Sequence, residues 1–179
     1  MVLNSRTFAL AAALVAAPLG AWAQEGMTPA PVCTANTDAA LPAALQGWNG
    51  RADLAAAANP AVVATAALPI GKGVNGQLKK TGEVSLPVLP AKPGGSVSYS
   101  GLYRLNITEP GDYQVSLGSG AWIEVVAGKV ALESTAHAPG PACSSLRKTV
   151  VYPLKPGRYL LEIAGNGEAV LPVMVHRVK

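Results

Sequence analysis

A chain of 179 residues, half of them hydrophobic and only 13% charged, is long enough for one domain with a core of its own. Its formal charge of +4 is mild and scattered, with Lys79-Lys80 and Arg147-Lys148 as the densest basic groups. Nucleic-acid recognition calls for a basic stripe or a known motif, and neither is present.

The N-terminus reads as an export signal. Arg6 supplies the charge of a short leading region, Thr7 to Gly20 is an apolar stretch, and Ala21-Trp22-Ala23 is a small-residue cleavage site before Gln24. Residues 1–23 are therefore expected as a signal peptide and 24–179 as the mature protein, periplasmic or secreted. No later segment reaches the roughly 20 apolar residues of a transmembrane helix. The two cysteines, Cys33 and Cys143, both fall in the mature part. An even count in an oxidising compartment predicts one structural disulfide between them.

Residues 24–72 read as an extended and helical lead-in. Leu41 to Trp48 holds a turn or two of helix, with Pro42 near its start, Gly47 at its stop, and Leu45 and Trp48 spaced to dock on a sheet. Asp53 to Asn59 is Ala-rich with high helix propensity but is cut by Pro60, which predicts a short helical turn or an irregular cover.

From residue 73 to 179 short apolar-polar alternations are punctuated by Gly and Pro. The predicted strands are 74–79, 83–88, 96–107, 112–118, 121–127, 129–134, 148–154, 158–164 and 169–178. Such spacing predicts an all-β fold, an antiparallel β-sandwich or jelly roll of about eight strands with a short helical N-terminal cover. Two corners repeat, Glu109-Pro110-Gly111-Asp112-Tyr113 and Lys155-Pro156-Gly157-Arg158-Tyr159, where Pro sets a turn and Gly is expected at positive φ. Gly165-Asn166-Gly167 is a hairpin signal. Alternation places Tyr103, Leu105, Ile107, Tyr113, Val115, Leu117, Ile123, Val125, Val130, Leu132, Val150, Tyr152, Leu154, Tyr159, Leu161, Ile163, Leu171, Val173 and Val175 inward.

Three constellations could carry chemistry. The stretch 134–147 has no strand pattern, and its His137, Ser144, Ser145 and Arg147 could form a polar ligand site beside Cys143. A serine nucleophile would need a base and an orienting acid, and no G-x-S-x-G elbow or nearby carboxylate supplies them. Among metals, Met174 and His176 share one strand face, and His137 is the other histidine. One Met with two His lacks the thiolate of a blue-copper centre, and an iron site would need both histidines plus Glu124 or Glu162. No metal and no cofactor is therefore assigned. Finally, most tyrosines fall on inward rows, which leaves Trp122 and Tyr99 as exposed aromatic platforms for a glycan.

The strand–Pro-Gly–Tyr–strand units, Gly118 to Val126 and Leu154 to Ile163, resemble the pre-peptidase C-terminal β-sandwich, an accessory module of secreted bacterial peptidases. The resemblance covers roughly 74–178 and implies a non-catalytic role. The strings Pro93-Gly94-Gly95-Ser96, Ser134 to His137, Gly140 to Cys143 and Arg147-Lys148 are similar to short exported bacterial proteins of unknown function, sometimes labelled homogentisate 1,2-dioxygenase. That label implies an iron enzyme with two histidines and a glutamate, and neither the length nor the ligands here match. The expectation is an exported, non-enzymatic accessory or binding module, probing an envelope protein or glycan as a monomer, with a metal-dependent dioxygenase as the alternative.

Overall fold

The computed structural model describes residues 32–178, so the predicted signal segment 1–23 and the first residues of the lead-in lie outside the described residues. Eleven strands follow in chain order: β1 (Ala52–Ala55), β2 (Val74–Gln77), β3 (Lys79–Lys80), β4 (Tyr99–Ile107), β5 (Gly111–Leu117), β6 (Trp122–Ala127), β7 (Val130–Ala131), β8 (Ala136–Pro139), β9 (Lys148–Leu154), β10 (Gly157–Asn166) and β11 (Val170–Arg177). They form a six-stranded sheet ordered β1-β2-β11-β5-β9-β8 and a five-stranded sheet ordered β3-β4-β10-β6-β7. Every pairing is antiparallel except β1 with β2. The all-β prediction holds, with eleven strands in place of about eight.

Alternating side chains from both sheets fill one core. Tyr103, Leu105, Val115, Leu117, Val125, Leu161, Ile163, Leu171, Val173 and Val175 are all sealed from solvent in it. Val130 is the exception among the predicted inward positions, at 65% exposure, because β7 is only a two-residue edge strand.

Both Pro-Gly corners carry the chain from one sheet to the other, β4 to β5 and β9 to β10. In each, the tyrosine hydroxyl donates to the carbonyl four residues back, Tyr113 to Glu109 at 2.8 Å and Tyr159 to Lys155 at 2.9 Å. The corner is thus closed by its own aromatic, as in tyrosine corners of other sandwiches. The expected positive φ is found at Gly111 (155°) and not at Gly157.

Four expectations are corrected. Residues 83–88 form no strand; a 3-10 turn, Thr81–Glu83, leads into an irregular strap that runs to Ser98. Gly165-Asn166-Gly167 is no hairpin, since β10 and β11 belong to different sheets. Instead Gly165 (φ 68°) lies so close to Gly94 (φ 86°) in the strap that a Cβ on Gly94 would come within 2.6 Å of the Gly165 Cα. Ala52–Ala55 is a strand despite its helical composition, because β2 offers it a parallel edge. Tertiary pairing there overrides a propensity of a few tenths of a kcal/mol per residue. Ala136–Pro139, inside the stretch expected to be irregular, pairs with β9.

The outward faces of both sheets are covered as well. A 3-10 segment, Ala43–Trp48, sets Leu45 and Trp48 with Leu41 onto Leu146 and Met174, a second apolar cluster on the six-stranded sheet. Cys33 and Cys143 are bonded, with Cα atoms 5.2 Å apart, and tie the lead-in to the body across 110 residues. In the chain-entropy model a loop of that length contributes roughly 4–5 kcal/mol.

Candidate functional site

β7 pairs with β6 only at Val126–Ala131 and Ala127–Val130, and the Leu132 N–H then reaches the Val125 carbonyl. The Trp122–Glu124 end of β6 is therefore left without a strand on that side. Between this free edge and the β8–β9 edge of the other sheet lies an open cleft of about 680 Å³. Its polar and aromatic lining comes from Trp122, Glu124, Glu133, Ser134, His137, Lys148 and Tyr152.

Strand geometry explains how these groups converge. Trp122 and Glu124, two apart on β6, share a face, and the indole Nε1–H donates to Glu124 Oε1 at 2.7 Å. Lys148 donates to the Ala121 carbonyl at 2.9 Å, which holds its ammonium 5.6 Å from the Trp122 ring centre. Lys92 from the strap stands 5.9 Å from the same ring. Burial, then repulsion from Lys92, pulls the Lys148 ammonium below its ordinary pKa, while Glu124 acts in the opposite sense. Tyr152 crosses the gap and donates to the Ile123 carbonyl at 3.4 Å. Burial first, and Glu124 second, push its phenol far up, so it stays neutral.

The structure separates the other predicted residues. In the cross-strand row Val175–Val115–Val150–His137, all four side chains share the inner face, so exposed His137 points to the cleft. His176, next to Val175, takes the opposite face, as does Met174. The two histidines thus leave opposite faces of one sheet and do not meet on an ion. Met174 and His176 were expected on an outward strand face, and there they are buried to 0% and 5% exposure, Met174 against Leu41, Leu45 and Trp48 of the lead-in. His176 Nδ1 has no hydrogen-bond partner, and burial lowers the imidazole pKa. Among the described residues no three His, Cys, Asp or Glu side chains gather as a metal site.

Ser144 and Ser145 serve the loop. Ser144 Oγ donates to the Pro141 carbonyl at 2.7 Å. Ser145 takes the Trp48 indole N–H at 2.8 Å and gives its own N–H and Oγ–H to the Asp38 carboxylate. Partial burial raises the Asp38 pKa, but the Ser145 donations outweigh it and the carboxyl stays below its usual range. Arg147 is exposed and bonds through its backbone, its N–H to Leu117 O at 2.8 Å. Cys143, at φ 62°, occupies the left-handed region in this same loop.

Two groups play parts that the sequence did not announce, Lys148 and Glu162, the latter considered only as a carboxylate for an iron site. Lys148 was noted only as part of a basic pair, although it begins a strand whose inward parity it shares with Val150 and Tyr152. Glu162 lies on the outer face of β10, 1% exposed, with Oε1 accepting the Val88 N–H of the strap at 3.0 Å. Its Oε2 is buried without a partner. Burial pushes this carboxyl up to about 7, with Glu124 adding to the rise and the Val88 hydrogen bond opposing it. In comparisons with known proteins, no family model and no curated protein matches this chain.

Proposed function

We propose that this protein is an exported, non-enzymatic binding module, periplasmic or secreted, whose ligand is an envelope glycan held in the cleft at the open sheet edge. One observation carries the reading: an indole fixed by Glu124 at the mouth of a cleft whose other polar groups, among them Glu133, Ser134, His137 and Lys148, are donors and acceptors of mixed sign. A sugar offers an apolar ring face for an aromatic and hydroxyls for such a mixed set. The disulfide is compatible with an oxidising, extracytoplasmic compartment. The resemblance to pre-peptidase C-terminal sandwiches points the same way, toward an accessory role.

The test is retention of the purified protein on insoluble cell-wall polysaccharide, compared with Trp122→Ala. Trp122 is half-buried at a strand end, so the variant folds, and far-UV and near-UV circular dichroism check this. Loss of the platform weakens binding by about tenfold, the equivalent of 1.4 kcal/mol. Equal retention of the two proteins would refute the reading.

A further inference from the structure

The outer face of the five-stranded sheet carries a second recess, separate from the edge cleft. Register places Arg104 opposite Leu160, and Leu160 opposite Val126, in one row across β4, β10 and β6. Arg158, two residues before Leu160, lies on the same face. Above this row sits the 3-10 turn Pro60–Thr65, capped by the Asn59 side chain at the Ala61 N–H. The chain after the turn is fastened along β4: Arg104 N–H donates to the Ala66 carbonyl at 2.9 Å, and Leu68 N–H to the Arg104 carbonyl at 3.0 Å. A recess of about 280 Å³ remains between turn and sheet.

Its walls are apolar, chiefly Pro60, Val63, Ala64, Val126 and Leu160, and its only charged groups are Arg104 and Arg158. The one ion pair among the described residues joins Arg177 to Glu109 instead. Arg104 Nε is buried with no hydrogen-bond partner. Glu162 is the carboxylate next along this face, one row from Arg104, and its bonded oxygen is engaged by the Val88 N–H. A guanidinium N–H taken out of water with no acceptor is costly, and a ligand oxygen would relieve that cost.

We propose that this recess is a binding site for a small carboxylate with an apolar body. The carboxylate accepts from Arg104 and Arg158, whose planar forks match its two oxygens. The body of a few carbons lies against Val63, Val126 and Leu160, which suits neither a fully hydrated phosphate nor a neutral sugar. The site is independent of the edge cleft and of the glycan reading.

Hexanoate is the probe, titrated into the ¹⁵N-labelled protein at low salt and followed by amide shifts. The expected result is saturable movement of Ala61, Val63, Ala64, Gly128 and Leu160, with no comparable movement from hexan-1-ol. Arg158 is exposed, so Arg158→Gln keeps the fold while removing one charged partner. It weakens hexanoate binding by about tenfold, the loss of one charge-assisted interaction. Arg104→Gln does the same at the half-buried position, and Trp122→Ala has no effect. The proposal is overturned if hexanol shifts the same amides, if Arg158→Gln leaves the affinity unchanged, if inorganic phosphate displaces hexanoate at equal concentration, or if Trp122→Ala abolishes binding.

Discussion

The two outward sheet faces are both covered by irregular chain, yet they are covered in opposite ways. On the six-stranded sheet the lead-in lays Leu41, Leu45 and Trp48 over Leu146 and Met174, and all five are buried. The ionisable side chain at that end, His176, has an unpaired buried atom of its own, Nδ1, and burial lowers its pKa. On the five-stranded sheet the strap 84–98 and the turn Pro60–Thr65 cover Glu162 and Arg104, each with a buried polar atom left unpaired. The first cover is a hydrophobic seal. The second encloses more unmet hydrogen-bonding capacity, on two side chains of opposite charge against one imidazole nitrogen, and burial makes it expensive. Apolar packing is therefore concentrated under the lead-in, while the larger pH response and the unpaired charged groups lie under the strap and turn.

The largest effect that tests this division is Trp48→Ala. Trp48 is fully buried and its indole N–H is bonded to Ser145. Truncation removes the centre of the seal and costs about 3–5 kcal/mol, read as a fall in the urea midpoint at unchanged m-value. Leu86→Ala in the half-buried strap costs about 1 kcal/mol by the area it loses. Comparable losses from the two substitutions would break the contrast between seal and strap.

Much of the inner architecture was legible because β alternation is a local signal. Tyr113-x-Val115-x-Leu117 and Tyr159-x-Leu161-x-Ile163 name their inward faces without knowledge of any partner strand. Leu45 and Trp48 were legible as a docking pair because helical spacing is a local signal too. What covers an outward face was not legible, because it depends on contacts between segments far apart in the chain. Met174 and His176 alternate correctly against Val173 and Val175, but nothing in β11 announces the seal laid over them. Arg104 and Arg158 likewise sit at outward positions where solvent is the default, and only the fold brings Pro60–Thr65 above them. Ala52–Ala55 was misread because its helix propensity is local and its parallel partner is not. The Trp122–Glu124 pair is the part of the edge cleft that two-residue spacing could have revealed; the approach of Lys148 from the other sheet could not.

A smaller effect comes from Glu162. Its folded-state pKa is raised to about 7 from an ordinary 4.5, so the folded protein holds a proton that the unfolded chain releases between those values. The stabilising contribution is present in full below about pH 4.5 and is lost as pH rises through about 7. Glu162→Gln, which keeps an acceptor for the Val88 N–H without the charge, gains on the order of 2 kcal/mol over the parent protein at pH 8. At pH 4.5 the two have equal stability. A gain of the same size at both pH values would mean that packing, and not the buried charge, sets the difference.

His176 gives the smallest effect, with the opposite sign. Burial lowers its pKa below the ordinary 6.5, so the unfolded chain takes up a proton before the folded protein does. Stability from this group is present above pH 6.5 and declines as pH falls through the lower folded-state pKa. Thermal midpoints taken from pH 7 down to pH 5 should therefore fall less steeply in His176→Gln than in the parent, whatever the variant's offset at pH 7. Glu162 and His176 lie on different sheets and share no partner, so their contributions add. Both groups titrate within the range between pH 7 and pH 4.5 and their slopes oppose each other, so the change in pH dependence of the double variant should equal the sum of the two single changes. If the double variant departed from that sum, the two covers would be energetically coupled through the core and would not act as separate layers.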